Sequence, residues 1–344
     1  MILSSIKLAD SYRSIRKLPV NFKQEDAPAF DHEIIYESIP VYLLELKDIF
    51  YTGLGVVETL EKESLPDEFR LYNATKAHSN LPFLFTICKK KIRTRYHIIR
   101  EPVVFIIDIR SNNYFHWIAE VLPRLLAAKD KIDKNPVILP AKFKELPFVS
   151  DSLNYLGFKF RFMEKFSLYK LKHIFFVSHF SIIGNYHDEI IQRTRMVLRS
   201  AGVGTENNEL IYISRDKAER RKIANEEELV KILKAHDFKI ILCEELSFYE
   251  QAAIFSHAKF LISIHGAGLA NMMFMEHESK VLEIRYKNDF QNNCYFSLAS
   301  ALQLKYYYFL ADPVYVGEDP YSANITVDIP RIRLLIDSIF NDEQ

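Results

Sequence analysis

Glycine is scarce in this chain, at 9 residues in 344. That excludes a collagen-like, low-complexity or β-solenoid protein, and it makes the glycines that cluster in one short motif informative. Cysteine is scarcer still, at 3. Cys88, Cys243 and Cys294 lie far apart, with neither metal-ligand spacing nor the even count of a disulfide framework. A reducing cytoplasm is therefore the expected compartment. Net charge is missing as well: 45 Lys plus Arg balance 45 Asp plus Glu. A dedicated nucleic-acid binder usually carries a basic excess, so no nucleic-acid partner is expected. No apolar run reaches membrane-spanning length, the stretch 103–109 being far too short. The first twenty residues are broken by Lys7, Asp10, Arg13 and Arg16, so no signal-peptide core is expected.

What the chain does have is apolar and aromatic mass. Hydrophobic residues make up 49%, including 26 Phe and 19 Tyr, enough to bury a large core. The length is natural for two domains. Residues 1–100 are irregular, with strand-like runs at 41–46, 55–60 and 83–87. From residue 102 strands and helices alternate. Strands are expected at 103–109, 137–139, 158–162 and 174–177, and helices at 114–129 (capped by Asn112 or Asn113), 148–156 and 187–200. The segment 202–209 (GVGTENNE) is polar and glycine-bearing, and reads as a linker. The alternation then restarts. Strands at 210–213, 238–242, 260–264, 280–284 and 304–309 interleave with helices at 225–235, 247–257, 269–275 and 290–301, and a last amphipathic helix follows at 331–340. This is the pattern of a doubly wound parallel sheet.

Four clusters carry chemistry. The first is FLISIHGAGLAN, residues 260–271. A buried strand runs into His265, Gly266, Ala267 and Gly268, and a helix start follows. Glycines let backbone N–H groups approach a ligand, and a helix N-terminus adds partial positive charge, so the turn suits a diphosphate. An ordinary packed strand-to-helix turn is the competing reading. Asn271 and Glu283 favour the ligand site, since Glu283 falls at the carboxyl end of the next strand and can bond ribose hydroxyls.

The second cluster is Ser214-Arg215 with Arg220, Arg221 and Asn225, at the carboxyl end of strand 210–213. Arginine there can grip phosphate bidentately. A solvated basic loop is the alternative. The third is residues 112–124, NNYFHWIAEVLPR, holding the only tryptophan, Trp117. His116 and Glu120 are one helical turn apart and share a face. They can serve as a general base and its partner, or as an internal core ion pair. Pro123 breaks the helix rule and hints at a functional constraint. The fourth is the basic run 89–95, a solvated segment or a contact for an anionic membrane face.

In order, HWIAEVLPRL (116–125), YISR (212–215), RKIANE (221–226), EELSFYEQ (244–251), HGAGLAN (265–271) and VLEI (281–284) resemble glycosyltransferase family 61, over roughly residues 103–310. The resemblance implies an α/β fold of the GT-B type, two Rossmann-like lobes with a cleft between them. It implies metal-independent, inverting transfer from a nucleotide sugar, UDP-linked, with no cofactor and no metal. Arg215, Arg221, Asn225, Glu250, His265, Gly266, Ala267, Gly268, Asn271 and Glu283 would hold the donor. His116 and Glu120 match the acceptor-side motif. The expected domains are 1–203 on the acceptor side, 204–312 for the donor, and a C-terminal segment, 313–344, whose helix packs back on the N-terminal lobe. The expected partners are a nucleotide sugar and a glycan or glycolipid acceptor in surface polysaccharide (capsule or lipopolysaccharide) biosynthesis. A peripheral contact with the inner membrane face goes with the basic run. The residues themselves agree on one point: an Asp-x-Asp metal motif is missing, so arginines and backbone dipoles must meet the leaving diphosphate. Two other classes stay open, a non-catalytic nucleotide-sugar or glycan-binding scaffold and a nucleotide-sugar epimerase.

Overall fold

A computed structural model describes residues 2–52, 57–58, 95–108, 110–165, 167–180, 184–200, 208–287, 289, 291–315 and 317–341. The chain divides into two compact units. Unit 1 holds residues 1–12 and 38–181, and unit 2 holds 13–37 and 182–344. The boundary expected at 203/204 lies inside unit 2. Among the described residues, no helix is long and apolar enough to cross a membrane.

Unit 1 is built on a six-stranded sheet. Its strands are β1 (Ile2–Ala9), β2 (Val41–Leu46), β3 (Val103–Phe105), β4 (Val137–Pro140), β5 (Phe160–Met163) and β6 (Ile174–Val177), in spatial order β1-β2-β6-β3-β4-β5. The pairs β6–β3, β3–β4 and β4–β5 are parallel, while β1 and β2 add an antiparallel flank. Val137, Ile138 and Leu139 are fully buried, the continuous apolar run of a strand covered on both faces. A four-stranded sheet joins Ile49–Thr52, Val57–Glu58, Arg95–Ile99 and Ser167–Leu171. The strand Ser167–Leu171 was not expected from the sequence. The run expected at 83–87 and most of that at 55–60 lie outside the described residues, as do residues 89–94 of the basic run.

The helix expected at 114–129 is α1. It begins as Tyr114–His116, widens to π-helical turns over Trp117–Val121 and continues as Leu122–Ala127. Asn113 caps it, its side-chain oxygen accepting from the Phe115 N–H at 2.9 Å. The wide turn sits just before Pro123, where a missing N–H would otherwise leave a gap in the hydrogen-bond ladder. A second helix, α2 (Pro147–Tyr155), receives the Trp117 indole N–H on Ser152 Oγ at 2.8 Å.

Unit 2 is a doubly wound sheet of β7 (Glu209–Ile213), β8 (Lys239–Ile241), β9 (Ala258–Ile264), β10 (Lys280–Tyr286), β11 (Lys305–Pro313) and β12 (Ile325–Thr326), in order β8-β7-β9-β10-β11-β12. All pairs are parallel except β11–β12. Its helices are α3 (Asp188–Arg199), α4 (Glu226–Ala235), α5 (Phe248–Ser256), α6 (Cys294–Ala301) and α7 (Ile329–Asn341). One face of the sheet, with Tyr212, Ile262, Leu282, Ile284 and Phe309, packs with Leu229 and Leu233 of α4 and Ile332, Ile336 and Ile339 of α7. The last helix thus completes unit 2's own core, where the N-terminal lobe had been expected to receive it. Its apolar stripe matches this sheet face. Strand alternation sends Leu261, Val281, Glu283 and Arg285 to the opposite face.

Residues 13–37 also belong to unit 2. The Val20 N–H donates to the Tyr306 carbonyl at 2.8 Å, and Asn21 pairs with both backbone groups of Tyr308. Phe30 is fully buried, with ring centroids 5.2 Å from Phe296 and 4.9 Å from Tyr308. This strap occupies β11 along the stretch that β12 leaves unpaired.

Candidate active site

β7 and β9 are parallel neighbours, so their carboxyl ends deliver Arg215 and the HGAG turn to one sheet edge. A Cβ built on Gly266 would stand 2.6 Å from a guanidinium nitrogen of Arg215 and 3.2 Å from its central carbon. Gly266 is extended, at φ −178°. Glycine is therefore required for room rather than for a left-handed backbone. At Gly268 a Cβ would lie 3.2 Å from Ile213 and 3.6 Å from the Cys243 sulfur, so the turn is pressed onto β7. The helix expected at 269–275 is a 3-10 helix, Ala267–Phe274, entered from Gly266. Its first N–H groups have no partners within the helix.

Arg215 folds its own loop. Its Nε donates to the Arg221 carbonyl at 3.2 Å and Nη2 to the Arg220 carbonyl at 3.1 Å. Arg221 takes a left-handed backbone, φ 54°, a conformation that costs energy in a non-glycine residue and marks a constrained loop. Burial, and then the Arg221 charge, hold the Arg215 guanidinium below its ordinary range. The same two cations act on the buried Tyr295 hydroxyl. Arg220 is exposed, so Arg221 is the second arginine of this cation pair.

His265 stands between three partners. Its Nδ1 is bonded to a Glu283 oxygen, its Nε2 lies 2.9 Å from Asn292 Nδ2, and its ring meets Tyr295 edge-on at 4.8 Å. Glu283 is fully buried, and its other oxygen accepts from the Tyr306 hydroxyl. Burial pushes the Glu283 carboxyl up, but His265, Arg285 and Tyr306 together hold it below the ordinary range. The ribose contact expected of Glu283 is corrected on this point, since both oxygens are engaged inside the unit.

Three further expected residues are committed elsewhere. Asn225 does not cap α4. Its Nδ2 donates to the Val327 carbonyl at 2.8 Å and its Oδ1 accepts from the Val327 N–H at 3.0 Å, an amide matching a backbone edge. Glu250 closes the capping box of α5, its Oε2 accepting from the Ser247 N–H at 2.8 Å. Asn271, fully buried, donates to Gln251 Oε1 at 2.9 Å, while Gln251 holds the Cys243 and Leu246 carbonyls. These residues fasten the loops that carry the site.

In unit 1, His116 Nδ1 lies 2.9 Å from Glu120 Oε2, as the one-turn spacing required. The other Glu120 oxygen is buried with no partner among the described residues. Such an acceptor is costly unless a donor reaches it. Arg124, one turn further and fully buried, donates to the Glu120, Val177 and Ile106 carbonyls at 3.2, 3.3 and 2.6 Å. It pins α1 to the ends of β3 and β6. His179 Nε2 lies 3.3 Å from Arg124 and 3.6 Å from the Asp108 carboxylate. Asp108 is occupied by its own turn, accepting from the Arg110 N–H at 2.8 Å and from Ser111 at 3.1 Å. Among the described residues, no three His, Cys, Asp or Glu side chains are grouped as metal ligands.

Sequence reasoning missed Tyr295, Asn292, Tyr306, Asp108 and His179. One signal was available: Glu283 and Arg285, two apart in an otherwise apolar buried strand, must share a buried polar network.

The family model described as Glycosyltransferase 61 matches residues 114–282, from the start of α1 into β10. Over that span, just under half of its length, the chain is similar to glycosyltransferase family 61. The matched span carries His116 and Glu120 in unit 1 and Arg215 and the HGAG turn in unit 2. A Drosophila melanogaster protein named EGF domain-specific O-linked N-acetylglucosamine transferase is 33% identical over 100 residues, which are 28% of this chain and 19% of that protein. The match therefore spans about a fifth of that relative's length.

Proposed function

We propose that this chain is an inverting, metal-independent glycosyltransferase. It moves a sugar from a UDP-linked donor to a glycan or glycolipid acceptor in surface polysaccharide biosynthesis. The observation that carries the reading is Arg215 seated on the Gly266 backbone with Arg221 behind it. Two mutually repelling, partly buried cations over a glycine turn suit one class of ligand, a polyanion such as a diphosphate. The likeness to the Glycosyltransferase 61 model and to the named transferase relative supports sugar transfer. A six-stranded sheet with parallel strands in each unit supports the GT-B class.

The chemistry follows from the residues. In unit 1, the Glu120 oxygen that has no partner among the described residues accepts the proton of an acceptor hydroxyl, and His116 holds the other oxygen. The hydroxyl oxygen then bonds to the anomeric carbon as the bond to diphosphate breaks, and the electron pair leaves on the diphosphate. In unit 2, Arg215 and Arg221 meet the charge that develops there. The backbone dipoles at Ala267 add to them without reorganising.

Purified protein in EDTA should convert a UDP-sugar and an acceptor to UDP and an inverted glycoside. UDP-N-acetylglucosamine belongs in the donor panel because of the relative's name. A second nucleotide sugar formed without acceptor would mark an epimerase instead, and UDP binding with no turnover of any donor would mark a scaffold.

A further inference from the structure

We propose that Asn292, held in place by Arg285, is a positioning residue that fixes the ring of His265 in one tautomer and thereby sets the Gly266–Gly268 turn under Arg215. The inference rests on the reading of that turn as the diphosphate site.

Arg285 is 1% exposed, on the same sheet face as Glu283. Its fork is spent on one short turn. Nη1 donates to Asn293 Oδ1 at 2.8 Å, and Nη2 to the Asp289 and Asn292 carbonyls at 3.0 and 3.1 Å. Asp289 Oδ1 accepts from the Asn292 N–H at 3.1 Å, closing the turn from inside. Asn293 is anchored in turn, its Nδ2 donating to the Ala29 carbonyl at 2.7 Å, and Phe30 lies under the guanidinium at 5.4 Å. The Asn292 backbone is thus held on both sides, and its side chain is aimed at His265 Nε2.

The donor-acceptor count then decides the ring. Asn292 Nδ2 can only donate, so Nε2 is the acceptor and the single ring proton sits on Nδ1, against the ionised Glu283. With Nε2 occupied, His265 is not placed to take a proton from a substrate. It is instead a rigid post between β9 and the glycine turn, locked by Glu283, Asn292 and Tyr295. A buried cation, Arg285, balances the buried anion, Glu283, which keeps the network neutral without a proton on Nε2.

The test reads the ring directly. Full-length protein is labelled with ¹⁵N-histidine, and the His265 signals are identified by their loss in His265→Gln. Wild type without nucleotide should show Nδ1 protonated and Nε2 bare. Asn292→Ala should let the ring exchange between tautomers and weaken UDP binding roughly fivefold, the loss of about one hydrogen bond. Asn292→Asp should give a doubly protonated ring, because a carboxylate accepts from Nε2–H. Arg285→Lys keeps the charge and loses the fork, so it should reproduce the Asn292→Ala ring spectrum. An unchanged ring spectrum in Asn292→Ala overturns the proposal, and an unchanged one in Arg285→Lys removes Arg285 from it. The spectra need no ligand, so a wild type that fails to bind UDP would sink the diphosphate reading while leaving the ring assignment to be judged separately.

Discussion

Gly266 and Arg215 occupy each other's space: the guanidinium lies where a side chain of residue 266 would begin. Gly266→Ala should therefore push Arg215 aside rather than unfold the protein, because the clashing atoms are at the free end of a flexible side chain. Affinity for UDP should fall on the order of tenfold, with little change in melting temperature. A large drop in melting temperature with UDP affinity intact would mean that the glycine serves packing alone.

Arg215→Ala should weaken UDP binding far more than uridine binding. A charge-assisted bond is worth about 1.5–3 kcal/mol, or roughly ten- to a hundredfold in affinity. Equal losses for both ligands, read by calorimetry, would assign Arg215 to loop structure. Arg220→Ala, by contrast, should bind UDP normally, since that side chain is exposed.

Donor binding should survive chelation. UDP affinity measured in EDTA should equal that of untreated protein, and restoration of a lost affinity by manganese or magnesium would overturn metal independence.

Glu120→Gln and His116→Ala should each lower turnover on the order of a hundredfold or more, the scale of a lost general base. UDP affinity and melting temperature should hold. Early melting with normal turnover of the folded fraction would show a core ion pair instead.

The pH dependence of unit 1 should carry a step from His179. Burial, and then the Arg124 charge, hold this histidine well below the usual value of 6.5. The folded ring stays neutral while the unfolded ring takes a proton. The stability it contributes is fully present above about pH 6.5 and is lost as the pH falls below that value. His179→Gln should flatten this limb of the melting curve. Glu283 acts lower on the scale. Its carboxyl is held below the ordinary 4.5, so its contribution is present above that value and fades as the pH falls through the folded value.

The strand positions of unit 2 were legible because buried parallel strands read as apolar runs. His116 and Glu120 met as their spacing required, and Arg215 met the HGAG turn because adjacent parallel strands end together. Asn225 and Asn271 were misplaced for a shared reason. An amide looks alike in sequence whether it faces a ligand or a backbone 102 residues away, as Asn225 faces Val327. Asn292 and Tyr295 lie on segments with no motif, and only the fold brings them to His265.

The strap of residues 13–37 also sets an order of events during synthesis. Asn21 leaves the ribosome 287 positions ahead of its partner Tyr308. Phe30 must likewise wait for Phe296 and Tyr308. The strap thus waits for partners made long after it, a long-range closure of the kind that slows folding. A version cut at residue 182 would carry unit 2's helices and strands but lack the piece that Tyr306, Tyr308 and Asn293 await.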